Sequence, residues 1–161
     1  RSLKTVLDIM VAAGRRVPWQ EVAAVLPYTD VFLPNDAQAR SITGCEDPLA
    51  QSERLAGINP DCTILITLGS RGLLARRGDE VLKVGSYKVD YVDGSGAGDA
   101  FAAGIVAGLL EDWPFEQMLR FASALGASCT RALGCTDGVF HFDEAMEFIR
   151  QTPLFVNRWC D

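Results

Sequence analysis

The sequence holds a single histidine, His141, so Ser-His-Asp or Cys-His catalysis would rest on one side chain. Its five cysteines (Cys45, Cys62, Cys129, Cys135 and Cys160) are odd in number and form no CxxC pair. Neither a zinc site nor a disulfide framework follows from them, and free buried thiols in a reducing cytoplasm are expected. Positive charge is short as well: 15 Lys and Arg stand against 21 Asp and Glu, a net charge of −6. That balance offers no footprint for nucleic acid or for an anionic membrane, and neither is expected as a partner. The pairs Arg15-Arg16 and Arg76-Arg77 are expected on solvated turns. Long apolar runs are missing too. The most apolar, Ala100 to Leu110, has 11 residues where a bilayer span needs ~20, which predicts a buried helix. Within it Gly104 and Gly108 stand at GxxxG spacing, suited to close packing against a neighbouring element. The start, RSLKTVLDIM, has no apolar core ahead of a cleavage site, so no signal peptide is expected there. It has no initiator Met either, and reads as the start of a chain cut from something longer.

What is present is an ordinary globular composition, 48% hydrophobic and 22% charged. The length fits a single α/β domain over residues 1–161, able to bury roughly two-thirds of the unfolded chain's surface. Val6 to Ile9 predict a short strand, followed by a turn around Gly14-Arg15-Arg16. Pro18 suits the first position of a helix running through Val22, Val25 and Leu26. After a strand over Asp30 to Leu33, Asn35 is the expected N-cap of a helix ending near Gly44. Asp47-Pro48 opens another that stops at Gly57. Cys62 to Leu68 is the clearest buried strand, and Leu73 to Arg76 and Val81 to Val84 resume the extended pattern around turns. Tyr87 to Val92 alternate as an edge strand would. Helices are expected up to Leu110, from Pro114 onward with Phe115, Met118, Leu119, Ala122, Leu125, Gly126 and Cys129 on one face, and from an Asp143 cap through Ile149. Strands alternating with helices, then hairpins, then helices, spell an α/β fold with a mixed sheet.

The chemistry concentrates in Asp93-Gly94-Ser95-Gly96-Ala97-Gly98-Asp99, a small-residue loop between an extended stretch and a helix. The first turn of a helix has amides with no internal partner and a positive dipole end, and glycine lets a phosphate approach them. Such a loop is an anion cradle. Asp99 supports two readings from the loop alone: a carboxylate that caps the helix, or one poised to take a proton from an attacking hydroxyl. No lysine follows the glycines, so a P-loop is excluded, and Asp99 stands where a dinucleotide fingerprint needs its third glycine.

Asp93 to Phe101 resembles the second signature of the ribokinase-type (PfkB) carbohydrate kinases, D-T-x-(G/A)-A-G-D-x-F. Upstream and in order, Leu33-Pro34-Asn35-Asp36-Ala37-Gln38-Ala39, with Ile42-Thr43-Gly44, resembles that family's PNE-x-EA-x-x-LTG. Thr67-Leu68-Gly69-Ser70-Arg71-Gly72 resembles its T-x-G-x-x-G nucleotide loop. Arg120 to Ala124 and Thr130-Arg131 through Gly134 are similar to the helix and turn that flank the adenine. The resemblance runs from about Thr5 to Ile149. It implies a ribokinase-like, mainly parallel mixed sheet flanked by helices, seen as the C-terminal part of that fold.

It also implies roles. Asp99 would be the catalytic base, and the amides of Gly96, Ala97 and Gly98 would hold the charge on the transferring γ-phosphoryl group of ATP. Thr67, Gly69, Ser70, Arg71 and Gly72 would line the phosphates and ribose, Asn35 would approach the phosphate–Mg2+ region, and Ser123 would lie near the adenine. Asp93 and the Ser95 carbonyl would match a monovalent-cation site, K+ in many members. The acceptor would be a small sugar-like molecule, and the enzyme cytoplasmic. There are three departures. Gln38 stands for the glutamate of the family's NxxE, Gly94 for the usual threonine, and the N-terminal half that supplies the sugar site and a β-sheet lid is absent. Association in the family often runs through that lid, so a homodimer is expected through it. Two other readings stay open: a nucleotide-binding module without catalysis of its own, and a structural domain whose GSGAGD loop is tight packing only.

Overall fold

The computed structural model describes residues 3–10 and 17–159. The expected turn at Gly14-Arg15-Arg16 and Cys160 lie outside them. The described residues form two compact units. The first takes the chain up to Gly69, then Leu73–Lys83, then the residues from Asn157. The second takes Ser70–Gly72 and Val84–Val156.

The first unit is built on a six-stranded sheet in the order β1 (Val6–Leu7), β2 (Val31–Phe32), β3 (Thr63–Thr67), β4 (Leu73–Arg77), β5 (Glu80–Val84) and β6 (Val156–Arg158). β1, β2 and β3 pair in parallel and β4 runs antiparallel to β3, so the sheet is mixed, as the order of elements predicts. The parallel pairs are bridged by α1 (Trp19–Val25), α2 (Asp36–Thr43) and α3 (Pro48–Ala56). The continuous apolar run of β3 fits burial on both faces, and Ile64, Leu65 and Ile66 are fully buried. Val22, Leu26, Phe32, Ala39, Ile42 and Leu55 close the core over Ile64 and Ile66. Each large member stabilises the unit by roughly 1.5–3 kcal/mol. β4 and β5 are joined across Gly78-Asp79, where Gly78 takes φ 58° in a hairpin turn that demands it.

The helix ends show what sequence can and cannot place. Asp47 accepts from the Ala50 amide at 3.0 Å and Pro48 opens α3 as expected. Gly44 ends α2 in the left-handed region at φ 71°, whereas Gly57 ends α3 right-handed at φ −61°, so that glycine is not used for handedness. Pro18 sits one residue before α1, not at its first position. Pro27 has no amide to continue the ladder, and the chain tightens into a 3-10 turn over Leu26–Tyr28. Arg76 and Arg77 close strand β4 and do not lie on a free turn; Arg76 donates to Ser52 Oγ at 3.0 Å and Arg77 pairs with Glu80 at 3.1 Å.

The second unit is helical: α4 (Ala97–Leu110), α5 (Phe115–Cys129) and α6 (Phe142–Gln151). α4 and α5 pack through the expected small residues. A Cβ on Gly104 would lie 2.5 Å from Ala122 Cα, and one on Gly108 would lie 2.5 Å from Met118 Cγ. Trp113 meets Phe121 edge-on at 5.1 Å, a favoured aromatic geometry. α6 starts two residues earlier than an Asp143 cap implies. His141 occupies the cap position and its amide donates to Glu144 Oε2 at 2.8 Å. Among the described residues no helix is long and apolar enough to cross a membrane.

Two further expectations are corrected. Tyr87 to Val92 form no strand: Tyr87 is buried against the Phe148 ring, but burial alternates only as far as Asp90, and Tyr91 and Val92 are both exposed. The amides of Val92 and Asp93 turn instead to the Thr130 carbonyl, at 2.8 and 3.2 Å. β6 has too short a signal to be read from sequence, and it continues into a bond from the Trp159 amide to the Val81 carbonyl at 2.8 Å. The thiols are not uniformly buried: Cys62 and Cys129 are, Cys45 is half-buried and Cys135 is exposed.

Candidate functional site

The first unit gathers its polar motif residues where ligands meet open α/β sheets, beyond the carboxyl ends of the parallel strands. Asn35 follows β2 and Thr67 ends β3, and the two are brought together as an isolated parallel bridge. The Thr67 amide donates to the Pro34 carbonyl at 3.0 Å. Asn35 caps α2, its Oδ1 accepting from the Gln38 amide at 2.9 Å. Gln38 answers reciprocally, its Oε1 accepting from the Asn35 amide at 2.7 Å. The same carboxamide then donates from Nε2 to the Ile9 carbonyl at 2.7 Å, just past β1. One side chain thereby ties the exits of β1 and β2. A glutamate has the acceptor for Asn35 but no donor for Ile9, which gives position 38 a structural reason to be glutamine. Gly69 begins a 3-10 turn over Gly69–Arg71, exposed at φ 60° with nothing within 4 Å of an added Cβ.

The second unit holds the rest. Ser70 and Arg71 are exposed, while Gly72 is fixed by packing: at φ 92°, a Cβ would fall 1.9 Å from the Val84 carbonyl oxygen. In the loop before α4, Asp93 Oδ1 accepts from the Ser95 hydroxyl at 3.1 Å and the Ser95 amide at 3.3 Å. Those bonds, the hydroxyl's foremost, with the Gly134 and Gly94 amides adding to them, hold its carboxyl below the usual range. Gly96 precedes α4 at φ 76°, and an added Cβ would lie 2.7 Å from Cys135 Cα.

The helix start is where partners run out. The Ala100 amide reaches the Gly96 carbonyl at 2.9 Å, and the Ala97 amide leans to the Gly94 carbonyl at 3.3 Å. The amides of Gly96, Gly98 and Asp99 have no acceptor among the described residues. Of the three expected donors, then, Ala97 is engaged. Asp99 contributes an amide that the motif reading missed, although counting three residues into a helix would have found it. Nothing lies within 4 Å of a Cβ added at Gly98.

Asp99 occupies the third position of α4, and its side chain is exposed, with no hydrogen bond or ion pair among the described residues. A capping role would require it to satisfy a backbone amide, and it satisfies none. Cys129 Sγ, missed by sequence reading, touches the loop's other side, its single S–H shared between the carbonyls of Ser95 at 3.3 Å and Cys135 at 3.2 Å. Burial first, then the neighbouring Cys135, Asp99 and Asp93, push its thiol above the ordinary value. Ser123 lies on α5 with its Oγ buried and unpartnered. The unit's hollows of about 250 and 300 Å³ are lined from Glu116 to Ile149 and from Arg131 to Glu144, away from residues 96–99.

Comparison with known proteins gives this arrangement a family. A ribokinase from Haemophilus influenzae is 30% identical over 129 residues, which is 78% of this chain and 42% of that protein. The chain thus spans about two-fifths of that relative's length. In structure it is similar to the Arabidopsis thaliana ribokinase complexed with ribose and ATP, with a TM-score of 0.76 at 24% identity over 90% of this chain and 47% of that one. It is also similar to a Vibrio cholerae fructokinase bound to fructose, ADP and calcium, with a TM-score of 0.73 at 20% identity over 81% and 44%. Residues 4–140 match the profile of the pfkB family carbohydrate kinases, and the chain belongs to that family.

Proposed function

We propose that this chain is the nucleotide- and phosphate-handling part of an ATP-dependent kinase that moves the γ-phosphoryl group to a hydroxyl of a sugar or sugar-like acceptor. The observation that carries this reading is the pairing at the start of α4 of acceptor-free amides with an exposed, unbonded Asp99 carboxylate. Phosphoryl transfer asks a protein for positioning and charge stabilisation, and both are supplied there. The amides of residues 96–98, with that of Asp99, hold charge as it builds on the phosphoryl oxygens, and the Ala97 amide turns from Gly94 to join them. Asp99 takes the proton of the attacking hydroxyl. Removing one such donor typically costs about 3–4 kcal/mol of barrier, so backbone and base matter comparably.

In the same reading Thr67, Gly69, Ser70, Arg71 and Gly72 line the ATP phosphates and ribose, Asn35 reaches the phosphate–metal region, and Ser123 meets the adenine. No group of three His, Cys, Asp or Glu that would cage a metal occurs among the described residues. That fits a Mg2+ ion held mainly by phosphate oxygens and water, whose contribution is to neutralise phosphate charge. Asp93 and the Ser95 carbonyl would hold K+, with the hydrogen bonds to the Asp93 carboxylate favouring its charged form. In this reading sugar contacts and any dimerisation would come from a part of the kinase that this chain does not span. The alternative, a nucleotide-binding piece without catalysis of its own, draws on that same 42% coverage.

Isothermal titration of Mg·ATP into the chain, beside a phosphorylation assay over a panel of sugars, separates the two. Binding with turnover supports the kinase, and binding alone supports the piece. Where turnover is measured, Asp99→Asn is expected to lower it 10²–10⁴-fold while leaving ATP affinity within about threefold. Full turnover in that variant defeats the assignment of the base.

A further inference from the structure

Two thiols that phosphoryl transfer does not use stand behind the amide array, one at the end of α5 and one in the turn that follows it. Cys129, the last residue of α5, is fully buried, and its sulfur lies 3.2 Å from the Cys135 carbonyl oxygen. A carbonyl oxygen and the Cβ of the same residue are about 3 Å apart, so that sulfur is within about 6 Å of Cys135 Cβ. Cys135 is exposed, in a turn that carries Gly134 at φ 93°. Both residues bear on the array. Cys129 donates its S–H to the Ser95 carbonyl at 3.3 Å, and the Cys135 backbone fills the space where a Cβ of Gly96 would stand, 2.7 Å away.

We propose that Cys129 and Cys135 are a peroxide-oxidisable thiol pair whose closure to a disulfide reshapes the anion loop. The exposed Cys135 sulfur attacks one peroxide oxygen, the O–O bond breaks, and water leaves behind a sulfenic acid. The Cys129 sulfur then attacks that sulfur and displaces a second water. In sum, two thiols and one peroxide give one disulfide and two waters. Closure draws Cβ atoms to about 3.8 Å, so the Cys135 segment shifts toward α5 and off Gly96. It also removes the hydrogen that Cys129 gives to the Ser95 carbonyl. The Gly96 turn loses support from two directions at once, and the amides that follow it lose their alignment. The consequence for nucleotide rests on the proposed phosphate site, but the thiol pairing does not.

Trypsin cleaves after Arg131, so it separates Cys129, in Phe121–Arg131, from Cys135, in Ala132–Arg150. After hydrogen peroxide treatment and thiol blocking, the intact chain is expected to yield these two peptides joined. The joined species should weigh two hydrogens less than their sum, vanish with dithiothreitol and be absent in Cys135→Ser. ATP affinity of the oxidised chain is expected to fall roughly tenfold and to recover on reduction, with Cys135→Ser unaffected by peroxide. The proposal is overturned if the two peptides stay apart, if Cys135 pairs with another cysteine, or if affinity ignores the disulfide. Should the reduced chain bind no ATP, the phosphate-site reading fails, and the peptide map still decides the pairing.

Discussion

The two units spend their polar groups differently. At the strand ends of the first, Asn35, Gln38 and Thr67 each satisfy backbone at 2.7–3.0 Å, and one carboxamide serves two chain segments. At the start of α4 in the second, amides and a carboxylate go without partners among the described residues. An unmade hydrogen bond to a buried group is costly, but an exposed one is held by water at little expense and is free for a ligand. The first unit therefore supplies rigidity, and the second supplies groups whose bonds are still to be made. The same contrast divides two glycines two residues apart: Gly96 is enforced by its surroundings, and Gly98 is not.

The largest test of this contrast is Gly96→Ala. A left-handed φ of 76° costs an L-residue about 1–2 kcal/mol, and the added methyl would lie 2.7 Å from Cys135 Cα, so the Cys135 turn has to be pushed away to admit it. A total loss of about 2–4 kcal/mol is expected in denaturant unfolding. A loss under 1 kcal/mol would mean that the Cys135 turn yields freely and that the loop is not supported from behind.

Much of this is readable in the residues because the signals are local. Asn35, Asp47 with Pro48, and the β-branched run of β3 each carry their own physical instruction, and the structure follows them. The glycine loop is legible for the same reason: small residues followed by a helix leave amides unpaired wherever they occur. What sequence cannot place is non-local. Tyr87 to Val92 carry a strand's alternation in their sequence, but the amides of Val92 and Asp93 go to the distant Thr130 carbonyl instead of to a neighbouring strand. The Gln38–Ile9 bond joins residues 29 apart, so a substitution that reads as the loss of a charge proves to be the gain of a donor. Cys129 and Cys135 read as inert core thiols because nothing in their spacing reveals that one touches Ser95 and the other Gly96.

Gln38→Glu probes the spent side of the contrast. The carboxylate keeps the bond from the Asn35 amide and loses the one to Ile9, placing oxygen against oxygen, at a cost of about 1–2 kcal/mol near neutral pH. Protonated, it can donate to Ile9 again. The folded-state pKa of the introduced carboxyl should therefore lie above its unfolded value of about 4.3. Stability relative to the parent is thus retained below that pH and lost as pH rises through the folded value. Thermal unfolding from about pH 4 to 7 brackets that window and reads the gap directly. A gap that does not widen with pH would show that the Ile9 bond contributes nothing.

Gly98→Ala probes the unspent side, with the smallest expected effect and an opposed pair of signs. Nothing occupies the space an added methyl would enter, and alanine is the better helix former. The substitution should therefore stabilise the chain, by about 0.5–1 kcal/mol. The same methyl stands in front of the amides that a phosphate would approach, and ATP affinity should fall about tenfold in the titration. A packing glycine would show loss of stability, and an idle one would show a gain in stability with no change in binding. Only a position kept open for a ligand gains one and loses the other, because the side chain is absent there for the sake of something that is not part of the fold.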